Sequence, residues 1–208
     1  MFSYRHAFHA GNHADVLKHV VLIAALDRLL EKDAALTVID THAGAGLYRL
    51  DGDYAGKSGE AADGIHRLLA TKPEGGAYAP AIERYIALLR EFNPKAKAAA
   101  LRVYPGSPFI AQHLLREHDK LKLFELHPTH ARALAGNIGQ LDAGRKITVA
   151  RDDGFGSIAS LLPPPSRRAL LLCDPSYEIK TDYARVAALV EQAHKRFATG
   201  TYVVWDPV

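Results

Sequence analysis

Cysteine, methionine and tryptophan occur once each in this chain of 208 residues, as Cys173, Met1 and Trp205. One thiol closes no disulfide and builds no Cys-based zinc cage, so the fold rests on packing, and a reducing compartment is expected. No apolar run reaches the about 18 residues that a membrane helix needs, and the opening MFSYRHAFHAGNHAD lacks the apolar core of a secretory signal. A cytoplasmic location without membrane attachment is the expectation. Net charge is small as well: 26 Lys and Arg against 23 Asp and Glu leave +3, which permits a local basic face without demanding one. No internal repeat is visible, and Gly and Pro are close to average usage, which excludes fibrous and disordered classes. Hydrophobic residues make up 48% of the chain, enough for one mid-sized domain or a domain with a small insertion.

Histidine is what the chain has in quantity. Five of the 11 lie within the first 42 residues, at 6, 9, 13, 19 and 42. His9 and His13 are four apart, but no carboxylate or Cys completes a metal set at helical spacing, so no metal is expected. Around His6 and His9 the run Tyr4-Arg5-His6-Ala7-Phe8-His9 interleaves aromatic and basic groups, as nucleic-acid surfaces do; a docked basic tail reads the same way.

From residue 12 the pattern turns helical. Apolar side chains at Val16, Val20 and Ile23, and again at Leu17, Val21 and Ala24, predict a broadly buried helix over 12–32 with Asn12 as its cap. Short β-branched or leucine-rich runs follow at 36–40, 121–128, 146–150 and 169–174, separated by helical stretches, and a fifth strand opens at GTYVVWDPV. Strands alternating with helices predict a parallel, doubly wound α/β sheet whose ligands sit at the carboxyl ends of the strands. Acids stand at or just beyond the first four strand ends: Asp40, Glu125, Asp153 and Asp174. Between about 50 and 104 the texture changes to two helical stretches broken by KPEGG, which predicts an inserted helical subdomain within a domain formed by 1–49 and 105–208.

Each strand end has a chemical reading and a bland one. The turn holding Gly44 and Gly46 follows the first strand and lets backbone approach a ligand closely. Arg49 stands where a dinucleotide fingerprint has a small residue, so a nucleoside without a pyrophosphate fits better than NAD or FAD. Glu125 is suited to ribose hydroxyls and Asp153 to an exocyclic amine, although either acid also caps a helix well. Asp174-Pro175-Ser176-Tyr177 joins an acid, a rigid turn and an aromatic ring at the end of the most apolar strand. Methylating a ring-conjugated amine calls for acceptors on its two N–H groups and a face that holds the base, which Asp174, the Pro175 carbonyl and Tyr177 can supply. Cys173 reads as packing.

Long strings extend this beyond single residues. SYRHAFHAGNHADVLKH, DTHAGAG, YPGSP, ELHP, DGF, DPSYE with KTDY, and KRFATGTY together resemble the RlmJ-type family, formerly called YhiR. These are S-adenosylmethionine-dependent enzymes that methylate N6 of an adenine in bacterial large-subunit (23S) ribosomal RNA. The resemblance implies a Rossmann-like class I methyltransferase fold with an inserted helical subdomain. It implies a methyl-donor site lined by His19, His42, Ser107, Glu125, Asp153 and Gly154, with Asp174 as the catalytic acid and Tyr4 touching the RNA. A monomer acting on ribosomal RNA before or early in subunit assembly is the corresponding expectation. A DNA adenine-N6 methyltransferase and a non-catalytic nucleic-acid-binding protein linked to DNA utilisation are the alternatives. The chain departs from the family at Ser176, where members carry a second proline; serine frees residue 175 from the extended backbone that proline imposes, and lower activity is expected. The chain also stops at Val208 inside a strand where family members continue for further strands, so a sheet without its C-terminal strands is expected.

Overall fold

The computed structural model describes residues 6–51, 59–71, 73, 75–94 and 101–206. A 3-10 turn over His6–Phe8 leads into α1, His13–Leu30. Asn12 caps α1 as expected, its side-chain oxygen accepting from the Asp15 N–H at 2.9 Å. The face it buries differs from the expected one. Asp15, Lys18, His19, Leu22, Ile23 and Leu26 point inward, while Leu17 and Val21 are 56% and 41% exposed. Three polar residues head the buried stripe, so a reading of apolar side chains alone misplaces it.

Five strands form the main sheet: β1 (Thr37–Asp40), β4 (Lys120–Phe124), β5 (Ile147–Ala150), β6 (Ala169–Cys173) and β7 (Thr201–Val204). They are parallel throughout, in the order β5-β4-β1-β6-β7. Numbered within this sheet alone, the order is 3-2-1-4-5, that of the Rossmann fold. A separate antiparallel pair, β2 (Leu47–Arg49) with β3 (Val103–Pro105), was not foreseen. At three residues each, these strands are too short to show a period in the sequence.

Alternation along the strands divides the core. Val38, Leu121, Leu123, Leu170 and Leu172 face α1, α4 (Ser107–Leu114) and α5 (Pro128–Ile138). Ile39, Phe124, Leu171 and Cys173 face α6 (Gly154–Leu161) and α7 (Thr181–Arg196). Helices on both faces are why β1 and β6 read as unbroken apolar runs. Each fully buried Leu contributes about 2 kcal/mol of transfer free energy. Between β2 and β3 lie a π-helical turn (Ala62–His66), α2 (Arg67–Ala70) and α3 (Pro80–Glu91). Ile65, Tyr85, Leu88 and Leu89 from this stretch join the same apolar cluster as Leu22 and Leu26 of α1.

Candidate active site

Crossovers from β1 run outward to β4 and β5, and the chain then returns to place β6 on the other side of β1. At that switch point the loops beyond the strand ends separate, and a cleft opens between them. Its wall includes His42 and Gly44 beyond β1, Ser107 at the start of α4, Glu125 beyond β4, Asp153 and Gly154 beyond β5, and Asp174 with Pro175 beyond β6. α1 adds Lys18 and His19, and the N-terminal turn adds His6. Ten residues expected from the sequence are thus gathered around one cavity. Tyr4 and Arg5 lie outside the described residues.

The four acids play different parts. Asp40 is 2% exposed and supports the loops: it accepts from the His42 N–H at 3.1 Å and from the Ser107 hydroxyl at 2.6 Å. Burial pushes its carboxyl up to about 6. Glu125 accepts from the Gly44 N–H at 2.8 Å and the His127 N–H at 2.7 Å, and burial raises its carboxyl above the usual range. Asp153 caps α6 by accepting from the Phe155 N–H at 3.0 Å, and its other oxygen is paired with Arg185. Asp153 therefore both caps α6 and lines the cleft.

The loop beyond β1 settles what kind of ligand suits the cleft. Ala43 N–H donates to the Phe124 carbonyl at 2.9 Å, Gly44 N–H to Glu125, and Ala45 N–H to the Tyr48 hydroxyl at 3.1 Å. Three successive amides are spent internally, so they do not form a pyrophosphate cradle. A cleft rich in carboxylates suits a ligand rich in donors and positive charge.

Asp174 is held by a buried cation. Lys18 donates to Asp174 and lies 2.9 Å from Asp15, whose other oxygen accepts from the Gly11 N–H at 3.1 Å and faces His6 Nε2 at 3.0 Å. Burial opposes charge on both Asp15 and Lys18, but their mutual attraction, with His6 and Asp174 alongside, prevails. Asp15 is held well below the usual carboxylate range and Lys18 well above the usual amine. Sequence reasoning missed Asp15, Lys18 and Arg185. The signal for the first two was present, since Asp15, Lys18 and Leu22 fall on one face at helical spacing.

His19 accepts or donates at Nδ1 to the Tyr104 hydroxyl at 3.0 Å, and Tyr104 meets the Tyr85 hydroxyl at 2.9 Å, all buried. Burial pushes the His19 ring down to about 3 and the His42 ring down to about 4. Both are neutral in the folded chain at pH values where the unfolded chain protonates them. Their contribution to stability is therefore complete above about pH 6.5 and lost as pH falls toward 4, on the order of 3 kcal/mol for His19 alone. Asp40, raised to about 6, acts in the opposite sense over part of the same window. Two strongly lowered rings against two raised carboxyls, Asp40 and the less strongly shifted Glu125, give a net loss: the melting temperature by circular dichroism should be several degrees lower at about pH 4.5 than at about pH 7. An unchanged or higher value at acid pH contradicts this balance.

Two expected site residues stand elsewhere. The Tyr177 side chain does not line the cleft. Its ring packs 4.6 Å from that of Tyr183, its hydroxyl donates to the Trp205 carbonyl at 2.7 Å, and its backbone is left-handed at φ +53. The expectation that Tyr177 presents its face to a base is not met in this conformation, because the left-handed turn aims the ring at the core on the α7 side. Gly46 also lies off the wall. At φ +79, a Cβ there would come within 2.8 Å of Leu134 and 2.9 Å of Phe109, so it serves packing. Gly154 does line the cleft and has a packing reason besides: a Cβ would sit 2.2 Å from the Thr41 carbonyl oxygen.

This sheet order, with acids following successive strands around one cleft, defines a Rossmann-like α/β protein with its ligand site at the switch point, and comparison with known proteins places it among the methyltransferases. The family model described as "Ribosomal RNA large subunit methyltransferase D, RlmJ" matches residues 33–208. The chain is 47% identical over 209 residues to "Ribosomal RNA large subunit methyltransferase J" of Escherichia coli (strain K12), with 100% of the chain and 71% of the relative covered. It is 45% identical over 210 residues to the protein of the same name from Haemophilus influenzae, again with 71% of the relative covered. A crystal structure of a Legionella pneumophila protein superposes with a TM-score of 0.84 at 36% identity, covering 96% of this chain and 70% of that one. The chain belongs to the RlmJ family.

Proposed function

We propose that the chain methylates N6 of an adenine in bacterial large-subunit (23S) ribosomal RNA, with S-adenosylmethionine as donor. The observation that carries this is Asp174 with Pro175 at the end of β6, opening on a cleft of donor-accepting carboxylates and held there by Lys18. Family membership supplies the substrate class.

The wall fits this donor. Glu125 has acceptor capacity for ribose hydroxyls beyond its two backbone bonds, and Asp153 for the adenine amine. His19, His42, Ser107 and Gly44 would hold its amino-acid end, with Gly46 and Gly154 shaping the backbone of the surrounding loops. When bound, S-adenosylmethionine supplies an electrophilic methyl group on a sulfonium. The chain's own work is to hold the target amine in line with it. Asp174 and the Pro175 carbonyl accept its two N–H groups, and Asp174 takes the proton released on transfer. The target base must leave its stack to reach this depth, and Tyr4, Arg5 and His6 contact the RNA around it. Residues 50–104 are read as an insertion into a domain formed by 1–49 and 105–208. We place the activity in the cytoplasm, on RNA before or early in subunit assembly. Among the described residues no helix is long and apolar enough to cross a membrane.

The test is transfer of labelled methyl from S-adenosylmethionine to deproteinised large-subunit ribosomal RNA, with assembled subunits and duplex DNA alongside, followed by nucleoside analysis. Label in N6-methyladenosine of free RNA is expected. Label in DNA alone, or in another nucleoside, overturns the proposal.

A further inference from the structure

Arg185 lies one turn into α7 and reaches back to the donor cleft, where nothing in the proposed reaction uses it. Its guanidinium makes three contacts. Nη2 donates to Asp153, the carbon Cζ lies 4.2 Å from the centre of the Phe155 ring, and Nη1 is 3.6 Å from Asp182. Phe155 in turn meets the His42 ring edge-on at 4.8 Å. Arg185 thus covers the one carboxylate oxygen of Asp153 that the helix cap leaves open.

We propose that Arg185 sets the affinity of the donor by competing with its adenine amine for Asp153. This rests on the reading of Asp153 as the acceptor of that amine. Two features make the exchange feasible. The pair is solvent-accessible, with side chains 41% and 38% exposed, so it is weak and screened by salt. The released guanidinium also has a waiting partner, because Asp182, on the same helix and 8% exposed, already faces it and would keep its charge compensated. Phe155 continues to hold the guanidinium by its ring face. Arg185 passes between two carboxylates, and an amine-bearing ligand decides which.

The experiment is calorimetric titration of the unaltered chain, Arg185→Gln and Asp153→Asn with adenosine, purine riboside, S-adenosylhomocysteine and S-adenosylmethionine. Purine riboside lacks the exocyclic amine. Asn at 153 retains the capping oxygen, so α6 keeps its start. Arg185→Gln should bind the three amine-bearing ligands about two- to five-fold more tightly, the range an exposed ion pair sustains. Purine riboside should be unaffected. Raising ionic strength to about 0.5 M should bring the unaltered chain toward the variant. Tightening of S-adenosylmethionine alone overturns the proposal, since removing a positive charge near a sulfonium does that by itself. Equal tightening of purine riboside makes Arg185 a mere obstruction, and weaker binding of all four makes it a support for the donor; either outcome overturns the competition. The reading of Asp153 fails separately, if Asp153→Asn leaves the preference for adenosine over purine riboside intact.

Discussion

Asp174→Ala protein transfers methyl groups to ribosomal RNA at least about a thousandfold more slowly than the unaltered chain, while its affinity for S-adenosylmethionine stays within a few-fold. The split follows from position. Asp174 stands beyond β6, on the opposite side of β1 from Glu125 and Asp153, so its loss removes an acceptor for the target amine and leaves the proposed donor contacts in place. The fold should tolerate the change, because Lys18 retains Asp15 at 2.9 Å and is not left as a lone buried charge. Single-turnover transfer and calorimetric donor titration on the same preparation check both halves. Transfer within tenfold of normal removes Asp174 from the chemistry, and loss of donor binding together with transfer assigns it to the donor site instead.

Lys18→Met has the opposite character, a large effect on stability. The cation is 6% exposed and faces two carboxylates, one of them, Asp15, only 3% exposed. Methionine fills similar space but leaves those carboxylates facing each other, with only the His6 ring and the Gly11 N–H to compensate Asp15. Breaking a buried pair from one side costs about 3 kcal/mol. The urea midpoint should fall accordingly, by about 1 to 2 M for a protein of this size. Asp15→Asn placed on top of Lys18→Met should recover part of the loss, since it removes the stranded charge, and this non-additivity separates the electrostatic account from simple repacking. An unchanged midpoint for Lys18→Met shows that the buried triad does not support the fold.

Much of this architecture was legible before the structure. The parallel sheet, the acids at its carboxyl edge and the capped opening helix followed from strand-length apolar runs, from the residues ending them, and from Asn12 ahead of a periodic stretch. What escaped has physical causes. β2 and β3 are three residues each, below the length at which a two-residue period declares itself. The inward face of α1 was misjudged because Asp15, Lys18 and His19 find partners outside the helix, in His6, Asp174 and Tyr104, so burial follows contacts that hydrophobicity does not register. Nothing in the sequence singles out Arg185; only the packing of α7 on α6 brings it to Asp153. Tyr177 was expected at the base because it follows Asp174-Pro175, yet a single left-handed residue redirects a side chain, and no composition rule shows that turn.

The link between Lys18 and Asp174 also bears on the order in which a ribosome releases this chain. Lys18 emerges early, and 155 further residues separate it from Asp174. β1, β4 and β5 are all synthesised before β6, which must then dock beside β1 to complete the cleft. Throughout that interval Lys18 has Asp15, three residues before it on the same helix, as its partner. A nascent chain is thereby spared an orphaned ammonium group in its forming core, and it gains the acid proposed for catalysis only when β6 arrives.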